Sequence, residues 1–454
     1  SAATDDPKTR PSGSPTKTQR KLTHWDVFVI AGPIMVSNAT TPLVGYADTA
    51  VIGQLGSESL MGAVAIAAII FNQIYWIFGF LRMGTTGFTA QAQGANDWNE
   101  TAAFLGRAGL IGLGLGLALI APQPIVGPVA VWLLGASAAV SESALTYFHI
   151  RIWGAPAALV NFALLGWLIG LGRADIAFWL QLLLNLTNIA LAILFVLVFS
   201  WGVPGVGLAI LVAEIVTVIV GIGVAWRILK PRNVRVDRRH LFDRRQLGRM
   251  LAVNSDIMIR TFCLILAFSM FTRQGAQDGD LTLAINALLF SIAMISAYLL
   301  DGFAFAAETF VGRAIGAQRK ESYDRALRLT TIWAAVVAIV IALAIYAGGG
   351  WMIDLATPKE EVREGAKEML SFAALVPIVG VWCFQLDGVY IGATQSRDMR
   401  NMMLISVAIY LVAVLGLVAL LGNMGLWLAL YVFFIARAAT LYWRLPRVRE
   451  RAFG

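Results

Sequence analysis

The chain has 454 residues, 58% of them hydrophobic and only 14% charged, with a formal net charge of +8. Soluble domains carry about 25% charged residues, so this balance excludes a water-soluble enzyme and points to a polytopic membrane protein. Lipid-facing strands are disfavoured too, because apolar helices with internally bonded backbones account better for the Gly and Ala content.

Residues 1–21, SAATDDPKTRPSGSPTKTQRK, are polar, rich in Pro and Ser, and lack the apolar stretch of a signal peptide or a spanning helix. A disordered tail is expected there. From Trp25 to Trp443, apolar runs of about 20 residues recur with short polar breaks, each long enough for a hydrocarbon core of about 30 Å. They number about twelve.

The first run ends in VGYADTAVIGQLG, residues 44–56, and places Asp48 at membrane depth. An ionised carboxylate there costs about 2.5–3.5 kcal/mol or more, so such residues persist where they work. Thr41 shares the face of Asp48, and Pro42 and Gly45 between them loosen the backbone enough to allow a bend. A carboxyl held away from water takes up a proton more readily than one in solution. Loading and releasing a proton is therefore the expected work of Asp48. Helix 4 carries Asn161, and helix 5 carries Asn185 and Asn188 in LLLNLTNIALA. Those amides can bond Asp48 across the bundle, or simply join helices. Glu214 on helix 6 is a further buried carboxylate.

The segment KPRNVRVDRRHLFDRRQLGR at 230–249 then interrupts the apolar pattern. Basic residues also collect in the first tail (Lys8, Arg10, Lys17, Arg20, Lys21) and in the final RLPRVRERAFG. An even number of spans puts all three groups on one side, cytoplasmic by the positive-inside rule. The opposite loops, QLGSESL, SAAVSES, RQGAQDGD and TPKEEVREGAKE, are acidic or neutral. Such a distribution belongs to a membrane face and excludes a nucleic-acid surface.

Helix 7 reads NSDIMIRTF, with Asp256 and Arg260 at i,i+4, close enough to pair. Helix 8 reads YLLDGFAFAAETF and sets Asp301 and Glu308 on one face, and helix 10 contributes Asp387 in FQLDGVYIG. Paired charges of this kind are also compatible with a purely structural role. Four carboxylates against Arg260 alone leave surplus negative charge for a proton, a sodium ion or a cationic substrate. Arg82 and Arg437 lie near predicted cytoplasmic helix ends, where snorkelling is expected. The aromatics Phe71, Tyr75, Trp76, Trp167, Trp179 and Phe305 can line an apolar cavity, though most are expected to pack or face lipid. Cys263 and Cys383 fall inside predicted spans as small core residues. His24, His149 and His240 lack the spacing of a zinc site, so no metal is expected.

Internal repetition organises these elements. GWLIGLGRAD at 166–175 returns with one insertion as GVYIGATQSRD at 388–398, so that Gly166 corresponds to Gly388. At the same displacement QAQGAND at 91–97 aligns with IGAQRK at 315–320, and at nearly the same one PGVGLAILVAE at 204–214 resembles GNMGLWLALYV at 422–432. The expected organisation is a tail (1–21), a first six-helix lobe (22–228), a basic linker (229–248), a second six-helix lobe (249–445) and a basic C-terminal tail (446–454). Both lobes enter from the same side, so the repeats are parallel and suit alternating access about a central cavity.

Taken together, YADTAVIGQLG, QAQGAND, APAALVNFALLGWLIG, NLTNIAL, NSDIMIRT and LLDGFAFAAETFVGRAIGA resemble the multidrug and toxic compound extrusion (MATE) transporters of the DinF-like branch, from Leu22 to Trp443. The resemblance implies an all-α membrane fold of twelve helices in two pseudo-symmetric lobes forming a V, with export driven by inward flow of protons or sodium ions. It makes Asp48 the protonated residue of the first lobe and Asn161 and Asn188 its amide partners. Many relatives have a second carboxylate on helix 5 where this chain has Ala192, so Asp48 is expected to act alone. In the related NorM-like branch, acidic residues on helices 7 and 10 bind the coupling cation. The helix 10 match is Asp387, while Asp256 and Asp301 stand in DinF-like positions.

These observations lead to an expected secondary active exporter of small amphipathic or cationic organic compounds, antiporting protons across a bacterial inner membrane. It is expected to work as a monomer among membrane lipid, with both termini cytoplasmic, no nucleic acid partner and no cofactor beyond the coupling ion. Each charge crossing 100 mV supplies about 2.3 kcal/mol, enough for a roughly fifty-fold gradient. A sodium-coupled exporter is the alternative, with its cation at Asp256, Arg260, Asp301, Glu308 and Asp387. So is a lipid-linked precursor flippase, although that would want a strongly cationic cavity. An intramembrane enzyme is not expected, because no nucleophile with an adjacent base, metal triad or phosphate loop is present.

Overall fold

The computed structural model describes residues 21–135, 137–236 and 238–454, without the side chains of residues 41–44 and 46. The expected tail at 1–21, apart from Lys21, and the side chains of Thr41 and Pro42 lie outside that description. Every regular element among the described residues is a helix. In hydrocarbon a backbone must bond within its own segment, and the apolar runs leave it no other partner.

The first lobe holds α1 (His24–Gly53), α2 (Glu58–Gly94), α3 (Trp98–Ile120), α4 (Ala138–Gly170), α5 (Ala174–Val198) and α6 (Gly202–Leu229). The second holds α7 (Arg244–Gln277), α8 (Asp280–Gly316), α9 (Lys320–Ala356) and α10 (Leu370–Gly392). Its last helical run, Ser396–Phe453, has 58 residues and would be about 87 Å long if straight. That is too long for one crossing. Gly422, with φ 57° and ψ −134°, breaks it into α11 before and α12 after the turn. Glycine is required there by conformation, and at Gly425 by space, since a Cβ would collide with the Leu417 carbonyl. Among the described residues ten segments are long and apolar enough to cross a membrane, and counting the 30-residue α1 and the division at Gly422 gives twelve membrane-length helices.

The repeat seen in the sequence is a physical symmetry of the lobes. A Cβ on Gly94 would collide with the carbonyl of Arg313, and one on Gly316 with the carbonyl of Gln91. These are one contact seen twice, because Gly94 with Gly316, and Gln91 with Arg313, are equivalent positions of the repeat. Inside each lobe, Gly166 backs onto the Arg82 carbonyl as Gly388 backs onto that of Ala304, again between equivalent positions. The seam between lobes is therefore built from small residues at the basic end of α2 and α8. Gln91 Nε2 donates across it to the Gly392 carbonyl (2.9 Å), and Thr309 Oγ1 to that of Ile169 (2.9 Å).

Residues 446–453, expected as a tail, instead continue α12 and dock on the second lobe. Val448 is buried, Phe453 meets Tyr323 edge-on at 5.5 Å, and Arg444 and Arg451 hold buried Asp398 at 2.9 and 2.7 Å. Basic composition concealed an apolar stripe wide enough to pack. On the outside, Trp132, Leu415 and Leu420 stay more than three-quarters exposed, which a lipid solvent favours and water does not.

Candidate functional site

Two clusters of buried charge stand out, one in each lobe. In the first, Asp48 on α1 and Asn188 on α5 are both buried, and Asn188 Nδ2 donates to Asp48 Oδ1 at 3.0 Å. The expected second amide does something else: Asn161 Nδ2 donates to the Glu214 backbone carbonyl at 3.1 Å, so it joins α4 to α6. Glu214 itself is buried, and its Oε2 has no hydrogen-bond partner among the described residues. Gly154 makes room for it, since a Cβ there would collide with that oxygen.

Sequence reasoning missed Arg151. It ends the first part of α4, immediately before a 3-10 turn at Ile152–Gly154 and the Pro156 that opens the second part. Pro156 has no N–H to donate, so the helix is re-set at this point. Arg151 is half-buried just before the turn; its Nη1 donates to the Tyr147 hydroxyl at 3.0 Å and the guanidinium lies 4.5 Å from the Phe71 ring centroid. It stands within Coulombic reach of both Asp48 and Glu214 without a direct ion pair to either among the described residues. A guanidinium in the apolar run HIRIWG was the available signal. Ala192 supplies no carboxylate on α5, but Arg151 brings a second buried carboxylate, Glu214 on α6, into the same charge group as Asp48. Two carboxylates facing one permanent cation carry one surplus negative charge when both are ionised, and a single proton cancels it.

The second cluster is wired differently from the expectation. Asp256 and Arg260 do not pair. Asp256 accepts from Arg400 Nη1 (2.6 Å) and Ser396 Oγ (2.8 Å) on α11. Arg260 instead reaches Asp387 on α10, which also accepts from Arg437 Nη2 at 2.6 Å. One helical turn separates the two α7 residues, and each meets a different neighbouring helix at its own level. Arg437 does not snorkel; it is 1% exposed. Nor does Arg82, whose Nη1 lies 3.4 Å from Glu308 Oε2 across the lobe boundary. Asp301 is half-buried and has no hydrogen bond or ion pair among the described residues. Set against Asp256, Asp301, Glu308 and Asp387 are thus Arg82, Arg260, Arg400 and Arg437, and the expected surplus of negative charge is gone.

The aromatics divide as packing predicts. Phe71 and Trp167 are buried, the latter donating Nε1 to the Thr101 carbonyl at 2.9 Å, while Trp179 is exposed. Cys263 and Cys383 are free and buried.

Comparison with known proteins agrees with this architecture. The MatE family profile matches residues 33–194 and 257–440. The DNA damage-inducible protein F of Escherichia coli (strain K12) is 37% identical over 417 residues, covering 91% of each chain. The probable multidrug resistance protein NorM of Rhizobium meliloti (strain 1021) is 25% identical and covers 94% of each chain. Among solved structures, a MOP superfamily transporter from Pyrococcus furiosus superposes with a TM-score of 0.83 at 18% identity, covering 94% of this chain and 96% of that one. An outward-facing multidrug resistance MATE transporter of the same superfamily gives 0.82 at 19% identity with the same coverage. At those identities the likeness is one of fold.

Proposed function

This chain belongs to the MatE family of membrane transporters, not to any class of enzyme, and on that premise we propose that it exports small amphipathic organic cations in exchange for protons carried by Asp48. The observation that supports this reading is the contrast in contacts. Asp48 is buried against an amide with no cation touching it among the described residues, whereas Asp256, Glu308 and Asp387 each have a guanidinium in place. A carboxylate already paired gains little from a coupling ion. One held only by Asn188 gains charge neutrality from a proton, which needs no cage of oxygens. Sodium is disfavoured by the same geometry, because permanent cations already stand at three of the four acids of the second lobe. The basic ends of the helices face the cytoplasm of a bacterial cell, the protein works as a monomer in the inner membrane, and both termini lie inside.

Reconstituted protein tests this directly. An inward proton gradient at equal sodium is expected to drive substrate efflux from proteoliposomes. Asp48→Asn is expected to abolish that drive while leaving expression and the thermal unfolding midpoint close to wild type. Efflux driven by sodium at clamped pH, and retained in Asp48→Asn, would overturn the reading.

A further inference from the structure

Arg82 belongs to α2 of the first lobe, yet its charge is placed in the second. Its guanidinium carbon lies 3.7 Å from the Phe305 ring centroid, and its Nη1 is 3.4 Å from Glu308 Oε2. Asp301, two turns before Glu308 on the same face of α8, makes no direct hydrogen bond or ion pair among the described residues and is within Coulombic reach of Arg82 first, then of Arg260 and Arg437. Exposure along this face rises from 1% at Glu308 to 48% at Tyr298. The group is thus closed at the basic end and opens away from it.

We propose that Phe305, Asp301 and Glu308 form a binding site for an organic monocation, and that Arg82 is a tethered competitor filling it while the lobes are shut at the basic end. The site is the cargo side of the transport reading above and rests on that reading. A flat aromatic face beside carboxylates favours a planar, weakly hydrated cation, and the resident guanidinium is one. A small hydrated ion would want more oxygens and no ring.

The backbone contacts decide what moves with what. The Arg82 carbonyl is pressed against Gly166 of α4, and the Glu308 carbonyl against Gly392 of α10, so each partner is fixed to its own lobe. Parting the lobes at the basic end withdraws Arg82, the guanidinium that pairs with Glu308, and leaves that buried carboxylate with only the more distant Arg260. A lone buried charge is strongly destabilising, whereas a paired one is tolerated. A cargo cation entering as Arg82 leaves removes that penalty. When the lobes close again Arg82 returns and evicts the cargo toward Tyr298. Release then follows from competition and needs no change in the site's intrinsic affinity.

Equilibrium binding of phenylguanidinium to purified full-length protein, read by calorimetry without any ion gradient, tests this. Arg82→Ala is expected to bind the probe at least tenfold more tightly than wild type, and Arg82→Ala/Glu308→Gln to lose that gain. Arg82→Lys keeps the charge but not the planar face, and is expected to gain about threefold; it serves if the alanine variant does not fold. No gain in either variant overturns the proposal. A gain that survives Glu308→Gln places the probe elsewhere and overturns it equally. Because no proton gradient enters, these results stand apart from the Asp48 experiment.

Discussion

In the first lobe Asp48 and Glu214 share one guanidinium that makes an ion pair with neither among the described residues, whereas in the second Asp387 lies between Arg260 and Arg437 and Asp256 lies against Arg400. The lobes are related by a nearly constant displacement along the chain and share their glycine contacts, so the difference is one of side chains placed on a common frame. Direct pairing makes a buried acid structural, because its charge is already met by a fixed cation. Distance from the cation leaves an acid free to exchange its charge. The proposed proton-coupled export would use both, a bundle that keeps its shape and a bundle that responds to an ion.

The largest expected effect comes from breaking the paired side. Asp387→Asn leaves two buried guanidiniums without their shared carboxylate and is expected to cost about 3–5 kcal/mol of stability. The triple variant Arg260→Met, Asp387→Leu, Arg437→Met is expected to be more stable than Asp387→Asn, because no charge is then stranded. Thermal unfolding in detergent reads both. A triple variant less stable than the single one would show that packing, not pairing, holds α7, α10 and α12 together.

The second test attacks the unpaired side. Glu214→Gln removes the surplus charge, so the cluster is neutral with Asp48 ionised and has no need of a proton. Proton-driven efflux is expected to fall about tenfold, a change of about 1.4 kcal/mol in the driving step. Stability should move by less than in the Asp387 variant, since Glu214 Oε2 has no partner to lose among the described residues. Unchanged coupling would return the site to Asp48 alone and make Glu214 a packing residue.

What the sequence made legible follows from range. Asp48 with Asn188, the two-lobe repeat and the family were readable because they depend on single buried charges and on motifs that recur at nearly one displacement. The partners of Arg260 were not, because the i,i+4 rule sees only its own helix while Asp387 sits 127 residues away. The snorkelling expected of Arg82 and Arg437 fails for a related reason. It is judged from distance to a helix end, and neither residue's acid lies on its own helix. Arg151 was hidden because its place beside Tyr147 and Phe71 depends on how α4 packs against α2, which its own segment does not show.

The smallest expected effect uses the repeat itself. Asp175 and Asp398 close the matching motifs GLGRAD and ATQSRD, so they are equivalents in the two lobes. Asp175 pairs with Arg173 two residues away, with side chains 51% and 49% exposed. An exposed pair of that kind contributes about 0–1 kcal/mol, since water screens it and two flexible side chains must be held. Asp398 is 3% exposed and held by Arg444 and Arg451 of the α12 extension. Asp175→Asn is therefore expected to shift stability by no more than about 0.5 kcal/mol, and Asp398→Asn by several times that, with the C-terminal segment 446–453 becoming sensitive to protease. Equal losses from the two substitutions would mean that the extension of α12 is not fastened by charge, and that Val448 and Phe453 dock it by apolar contact alone.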